Sequence, residues 1–327
     1  MRAQRLAEPG GPENLKLTEI AKPVAGPGQV LVRIRAAAVN PVDIKIREGL
    51  PIGPALPAVL GADLAGVVEN VGEGVTGIGP GDEVYGCAGG VKGHGGTLAE
   101  YIAADARLLA PKPRSLSFRE AAALPLVSIT AWEAMQRLAI TKDDIVLVHG
   151  GTGGVGHIGV QLAKARGARV VATVGSDKAI DVTKSLGADD VINYRKEAVA
   201  DYVLRLTEGN GFSAIFDTAG GANLVNSFAA AAVGGRVATI NARATVDLGD
   251  MHGKALSLHV VFMLLPMLRG PGRERHGAIL REIAALVDSG GLKPLIDSRK
   301  FTLETAADAH VFLASGKARG KIVIDID

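Results

Sequence analysis

Short apolar runs separated by glycine and proline dominate the N-terminal third of the chain: Gln29–Arg35, Leu64–Val71, Asp82–Gly86 and Leu98–Ile102. Runs of this length bounded by turn residues read as strands, and their spacing predicts a compact, partly open β-barrel with almost no helix. From about Ser117 the texture becomes Ala-rich and helical, and strand and helix then alternate to about residue 264. The predicted strands are Ile145–Val148, Arg169–Val174, Asp190–Asn193, Ala214–Asp217 and Arg236–Ile240, with helices near 154–166, 178–186, 198–207 and 222–232. Such alternation implies an α/β fold with a parallel sheet covered on both faces, although the order of its strands is not readable from one sequence. The most apolar run, Leu256–Leu268, contains His259 and Pro266 and reads as a buried strand leading into a short helix. A helix over His276–Ser289 and a terminal strand over Lys321–Ile326 complete the expected elements.

At 327 residues the chain exceeds the size at which one core stops growing, so two domains are expected. With 36 basic and 34 acidic residues there is no field that would draw nucleic acid or an anionic membrane, and neither is expected as a partner. The one cysteine, Cys87, excludes a disulfide framework or a four-thiolate zinc site within the chain and reads as inert packing. Met1–Leu6 lacks the apolar run of a signal peptide, no stretch is long and apolar enough to span a membrane, and a cytoplasmic location is expected.

Directly after the apolar strand Ile145–Val148 stands His149-Gly-Gly-Thr-Gly-Gly-Val-Gly, in which Gly151, Gly153 and Gly156 form G-x-G-x-x-G. A loop of this kind, Gly151, Gly153, Gly154, Val155 and Gly156 included, turns tightly and sets a pyrophosphate against the positive end of the next helix. The buried stripe Val155, Ile158 and Leu162 and the following strand Arg169–Val174 supply the strand–helix–strand context the motif requires. An acid about 20 residues beyond the first glycine would hold the ribose of NAD. Here the second strand ends in Val174-Gly-Ser-Asp-Lys, where Ser176 and Lys178 suit a 2′-phosphate and Tyr194 reaches the same adenosine end. Asp177 is the competing signal, and NADPH is the expected cofactor.

The motifs Pro27-Gly-Gln-Val-Leu-Val, Val39-Asn-Pro-Val-Asp-Ile-Lys-Ile-Arg-Glu-Gly, Gly61-Ala-Asp-Leu-Ala-Gly-Val-Val, Gly79-Pro-Gly-Asp-Glu-Val-Tyr-Gly, Leu186-Gly-Ala-Asp and Gly320-Lys-Ile-Val, with the glycine loop, are spread over most of the chain. Together they resemble the zinc-independent quinone oxidoreductase branch, the zeta-crystallin-like branch, of the medium-chain dehydrogenase/reductases. The resemblance implies a GroES-like, partly open β-barrel catalytic domain from residues 1–120 and 265–327, and a Rossmann doubly wound NADP-binding domain from residues 121–264. It implies a nicotinamide and substrate cleft between the two, and a homodimer or homotetramer joined through the edge strand Leu256–Phe262.

Zinc-dependent relatives place a cysteine at the position of Asn40 and a His-Glu pair at Ala62-Asp63, so no metal is expected. By the same alignment Asn40 approaches the nicotinamide ribose or the substrate carbonyl, and Thr130 lines the cofactor groove. Thr218 and Gly220 pass the ribose, while Ile240 and Asn241 meet the carboxamide. Asn40, Asp43 and Lys45 form the expected catalytic set, although Asn40 and Asp43 suit a turn around Pro41 equally well.

Quinone reductases of this branch often carry aromatics near positions 45 and 50, where this chain has Lys45 and Leu50. The expected reaction is therefore metal-free hydride transfer from NADPH to a quinone or an activated C=C of an enone or alkenal. A 2-enoyl thioester reductase is the alternative enzyme, disfavoured because no tyrosine follows the Asn-Pro turn. A non-catalytic, crystallin-like NADPH-binding structural or RNA-binding protein is the alternative of another class. His94, in a glycine-rich loop, reads as flexible and exposed.

Overall fold

Along the strand Gln29–Val39 the residues Val30–Val32 and Ile34 are buried while Arg33 and Arg35 reach solvent, and from Ala36 to Val39 every side chain is buried. Both faces of its C-terminal end are therefore covered, and small alanines at Ala36, Ala37 and Ala38 allow that cover to come close. A computed structural model describes residues 1–326. They divide into two compact units: Met1–Leu126 with Leu264–Gly290 and the segment from Pro294 onward, and Val127–Met263 with Gly291–Lys293.

In the first unit Gln29–Val39 is the spine of a seven-stranded sheet. Asp63–Val71 pairs antiparallel along one side, and Glu83–Cys87 and Leu109–Pro111 follow outward. The other side is shared: Tyr101–Asp105 pairs with residues Gln29 to Arg33, and Ile322–Asp325 pairs with Ala36 to Val39. A separate three-stranded sheet of Arg2–Leu6, Leu15–Glu19 and Ala58–Val59 was not expected from the pattern, because its strands are short and partly exposed. The expectation of almost no helix also needs correction. Pro41–Arg47 is a helix, entered through Asn40 at the cap and Pro41 in the first turn, with Ile44 and Ile46 buried. Ala306–Ala314 is a further helix absent from the sequence reading.

The second unit holds a six-stranded, all-parallel sheet in the order Asp190–Asn193, Arg169–Val174, Ile145–His149, Phe212–Asp217, Ala231–Thr239, Ser257–Val260. Chain order reverses between Ile145–His149 and Phe212–Asp217, the position at which doubly wound sheets bind ligands beyond their carboxyl ends. Leu147 lies in register with Val171 and Ile215, and Ile215 with Val237, giving one fully buried row across the sheet. Tyr202, Phe212, Leu224 and Phe228 pack against the same cluster. Each such side chain contributes about 1.5–3 kcal/mol by leaving water.

Two expectations here are corrected. The helix near 222–232 is Asn223–Ala230, since the strand begins already at Ala231, displaced there by an irregular register around Gly234 and Gly235. The Leu256–Leu268 run is a strand followed by the short helix Leu265–Arg269, but the strand is not buried: it is the sheet edge, with Val260 46% and Phe262 44% exposed.

Candidate active site

In the first unit Asn40, Asp43, Asp63 and Lys321 are all buried, each at most 3% exposed. Sheet register brings three of them together. Asp63 opens its strand opposite Ala38, and Lys321 immediately precedes the strand whose Ile322 faces Val39, so both flank the point where the spine passes into Asn40. Gly320 is needed for this approach: its φ is +76° and a Cβ would stand 2.1 Å from the Leu295 carbonyl oxygen.

The Lys321 ammonium donates to the Val39 carbonyl at 3.1 Å, to Asp63 Oδ2 at 3.3 Å and to Asn40 Oδ1. Asn40 Nδ2 donates to Asp63 Oδ2 at 2.9 Å, and the Leu126 N–H reaches Asp63 Oδ1 at 2.8 Å. The Asp43 carboxylate accepts the Asn40 backbone N–H at 2.8 Å, a capping-box contact. Burial pushes Asp43 up to about 7, against the stabilising Asn40 N–H and with added repulsion from Asp63. Burial also raises Asp63, opposed by the charge of Lys321 and by hydrogen bonds. Cys87 is fully buried beside these charges, its thiol pushed up by desolvation, in keeping with inert packing.

Of the expected catalytic residues, Asn40 and Asp43 therefore meet, whereas Lys45 lies on the exposed face of Pro41–Arg47. The turn reading of Asn40 and Asp43 holds for their backbone, since both cap the helix. Asp63 and Lys321 are the site residues that sequence reasoning passed over. Asp63 was read only as a missing zinc ligand, and Lys321 only as part of Gly320-Lys-Ile-Val. His94 is also corrected: it is half-buried, its Nε2 stands 3.2 Å from the Met267 carbonyl, and burial lowers its pKa.

In the second unit the glycine loop leaves the end of Ile145–His149 and enters the helix Gly156–Ala165. The Gly151 N–H donates to the Thr173 carbonyl at 2.9 Å, and Gly153 N–H closes back on the Gly150 carbonyl at 2.8 Å. A Cβ on Gly156 would sit 2.0 Å from the Gly150 carbonyl oxygen, so only glycine permits the turn that opens the helix N-terminus, with Gly154 and Val155 lying between. Thr218 donates to the His149 carbonyl at 2.5 Å, tying the neighbouring strand end to the loop. Gly221 N–H meets the Asn241 carbonyl at 2.9 Å, which sets Gly220 beside Asn241, with Ile240 next in line. Asp217 is fully occupied within the fold, accepting from Ala219 N, Gly220 N, Asn223 and Ser227.

Ser176, Lys178 and Tyr194 are exposed at the ends of adjacent strands, and the Tyr194 hydroxyl lies 2.9 Å from where a Gly175 Cβ would be. Asp177 is engaged by Asn193 at 2.7 Å and Lys196 at 2.5 Å. Thr130 is buried in the helix Pro125–Arg137. The loop, the open helix N-terminus and the strand reversal fit a dinucleotide.

A GroES-like unit with a buried polar cluster and a doubly wound unit with a glycine loop fit a two-unit oxidoreductase of the dehydrogenase/reductase type. Residues 26–114 match the family model for the alcohol dehydrogenase GroES-like domain, and residues 186–324 match that for zinc-binding dehydrogenase. The chain is 36% identical over 338 residues to 2-methylene-furan-3-one reductase of Solanum lycopersicum, covering 99% of this chain and 79% of that one. It is 33% identical to quinone oxidoreductase of Rattus norvegicus, covering 99% of this chain and 97% of that one. Among solved structures it is similar to Escherichia coli quinone oxidoreductase complexed with NADPH, with a TM-score of 0.89, 28% identity, and 99% and 100% of the two chains covered. The chain belongs to the quinone oxidoreductase family of the medium-chain dehydrogenase/reductases and is an oxidoreductase.

The zinc named by the second family model does not fit the donors present. Where ligands would be needed stand a carboxamide, an alanine and a carboxylate already paired with an ammonium, and the described residues contain no cluster of three metal-ligating side chains. No helix among the described residues is long and apolar enough to cross a membrane.

Proposed function

We propose that the protein is an NADPH-dependent reductase that delivers hydride to a quinone or to a carbon–carbon double bond conjugated to a carbonyl. The observation that carries this reading is the Gly156 turn, where a side chain would meet the Gly150 carbonyl at 2.0 Å and close the anion-binding helix end. NADPH rather than NADH is supported by Asp177, whose carboxylate is taken by Lys196 and Asn193, and by the Lys178 ammonium, which has no partner among the described residues. In this reading Gly151, Gly153, Gly154, Val155 and Gly156 cradle the pyrophosphate. Ser176, Lys178 and Tyr194 hold the 2′-phosphate end, and Thr130, Thr218, Gly220, Ile240 and Asn241 line the nicotinamide half.

Bound NADPH supplies the hydride. The chain itself aligns the acceptor, which can contribute about 7 kcal/mol or more in a near-attack geometry, and Asn40 donates a hydrogen bond to the oxygen on which negative charge develops. Asp43, titrating near neutrality, and the exposed Lys45 ammonium are the proton sources nearest in sequence to Asn40. Both names among the relatives, a quinone and an enone, belong to carbonyl-conjugated acceptors.

Stopped-flow oxidation of NADPH and NADH across quinones, enones, alkenals, enoyl thioesters and simple alcohols tests the proposal. Turnover with NADPH on the first three classes is expected. Faster turnover of enoyl thioesters, or NADPH binding with no oxidation by any acceptor, would replace it.

A further inference from the structure

We propose that Lys321 and Asp63 are positioning residues that lock the Asn40 carboxamide as a hydrogen-bond donor, so that the site selects acceptors bearing a carbonyl oxygen. This deepens the proposed reductase function and rests on it for the identity of the acceptor.

An asparagine side chain can present an acceptor or a donor, because a half-turn about its last bond exchanges oxygen and nitrogen. Here its two neighbours remove the choice. An ammonium only donates, so Lys321 takes Asn40 Oδ1, and an ionised carboxylate only accepts, so Asp63 takes one N–H of Nδ2 at 2.9 Å. Turning the amide over would set N–H against ammonium and oxygen against carboxylate in a site where water is excluded.

The lock is itself held. All three Lys321 protons are used, on the Val39 carbonyl, Asn40 and Asp63, and Asp63 is further anchored by the Leu126 N–H. Asn40 Nδ2 keeps a second N–H that has no protein partner among the described residues, in a side chain 1% exposed. A buried donor left open in an otherwise saturated cluster suits an oxygen that gains negative charge, such as that of a quinone or enone. It can hydrogen-bond an alcohol oxygen but cannot take up the proton that alcohol oxidation releases.

Two measurements on the full-length protein test this. The first uses protein labelled with [15N]asparagine, with Asn40→Ala identifying the Asn40 side-chain amide pair. In Lys321→Met that pair should move and exchange with solvent faster, and an unchanged pair would overturn the proposal whether or not any acceptor is turned over. The second is a kinetic cycle with NADPH and 1,4-benzoquinone or methyl vinyl ketone. Lys321→Met and Asn40→Ala should each lower kcat by at least about tenfold, with NADPH affinity by fluorescence quenching within about twofold, and the double variant should be no slower than the slower single. Losses that multiply would mark Lys321 as acting independently of Asn40 and refute the lock. If Lys321→Met fails to fold, Asp63→Asn is read in its place: an amide there can satisfy either orientation of Asn40, and the same amide shift and kcat loss are expected. Wild-type protein that binds NADPH but passes hydride to none of the acceptors would remove the reductase reading alone, while the Asn40 amide still decides the lock.

Discussion

Lys196 donates to Asp177 at 2.5 Å while Asn193 holds the other carboxylate oxygen at 2.7 Å, so both oxygens of the acid that follows the second Rossmann strand are already engaged. The adjacent Lys178 ammonium is left without a partner among the described residues. Lys178→Ala should weaken NADPH binding by about tenfold, of order 1.4 kcal/mol, and leave NADH nearly unchanged. Lys196→Ala, by releasing Asp177, should raise the relative affinity for NADH. Fluorescence titration with both nucleotides checks each, and equal losses for Lys178→Ala would remove the phosphate contact.

Gly156→Ala should abolish dinucleotide binding, because the new methyl meets the Gly150 carbonyl at 2.0 Å and the loop must open. The accompanying strain should cost about 1–3 kcal/mol in urea unfolding. Wild-type affinity in this variant would show that the loop does not hold the cofactor.

Acid stability should depend on His310. It is fully buried, neither ring nitrogen has a partner among the described residues, and burial with the Arg47 charge holds its pKa down to about 4 from 6.5. Between those values the unfolded chain binds the proton and the folded chain does not, so stability should fall as pH drops from 6.5 toward 4, by about 3 kcal/mol. Asp43 acts in the opposite sense: raised from 3.8 to about 7, it loses its contribution as pH rises through that window. His310→Leu should flatten the acid limb, and Asp43→Asn, whose oxygen still accepts the Asn40 N–H, should remove the loss of stability between pH 4 and 7. Urea midpoints measured from pH 4 to 8 separate the two.

Among the described residues the edge strand Ser257–Val260 pairs on one side only, with Ala231–Thr239, and Val260 at its end and Phe262 just beyond it are exposed. An unpaired edge with exposed apolar residues is a template for a second copy. Val260→Asp with Phe262→Asp should yield monomer by light scattering with the fold intact by circular dichroism. A wild-type monomer at micromolar concentration would rule the interface out.

What was legible in the sequence was what local periodicity encodes. Val155, Ile158 and Leu162 mark the face of the helix behind the glycine loop, and the alternating strands and helices from Ile145 onward define a parallel sheet, since both follow from neighbours a few residues apart. The helix Pro41–Arg47 escaped because seven residues carry too little period, and only its Asn-Pro-x-Asp cap signals it. Whether Ser257–Val260 is interior or edge depends on which strands precede it across the sheet, and its composition is the same in both cases.

The glycine loop was thus determined by sequence alone, because strand, turn and helix are contiguous and glycine is the only residue that its close approaches admit. The active-site lock was decided only by tertiary structure. Asn40 and Lys321 are separated by 281 positions and meet because Ile322 pairs with Val39. Nothing local distinguishes that lysine from one in solvent; its role comes from the burial and the partners that long-range strand pairing creates.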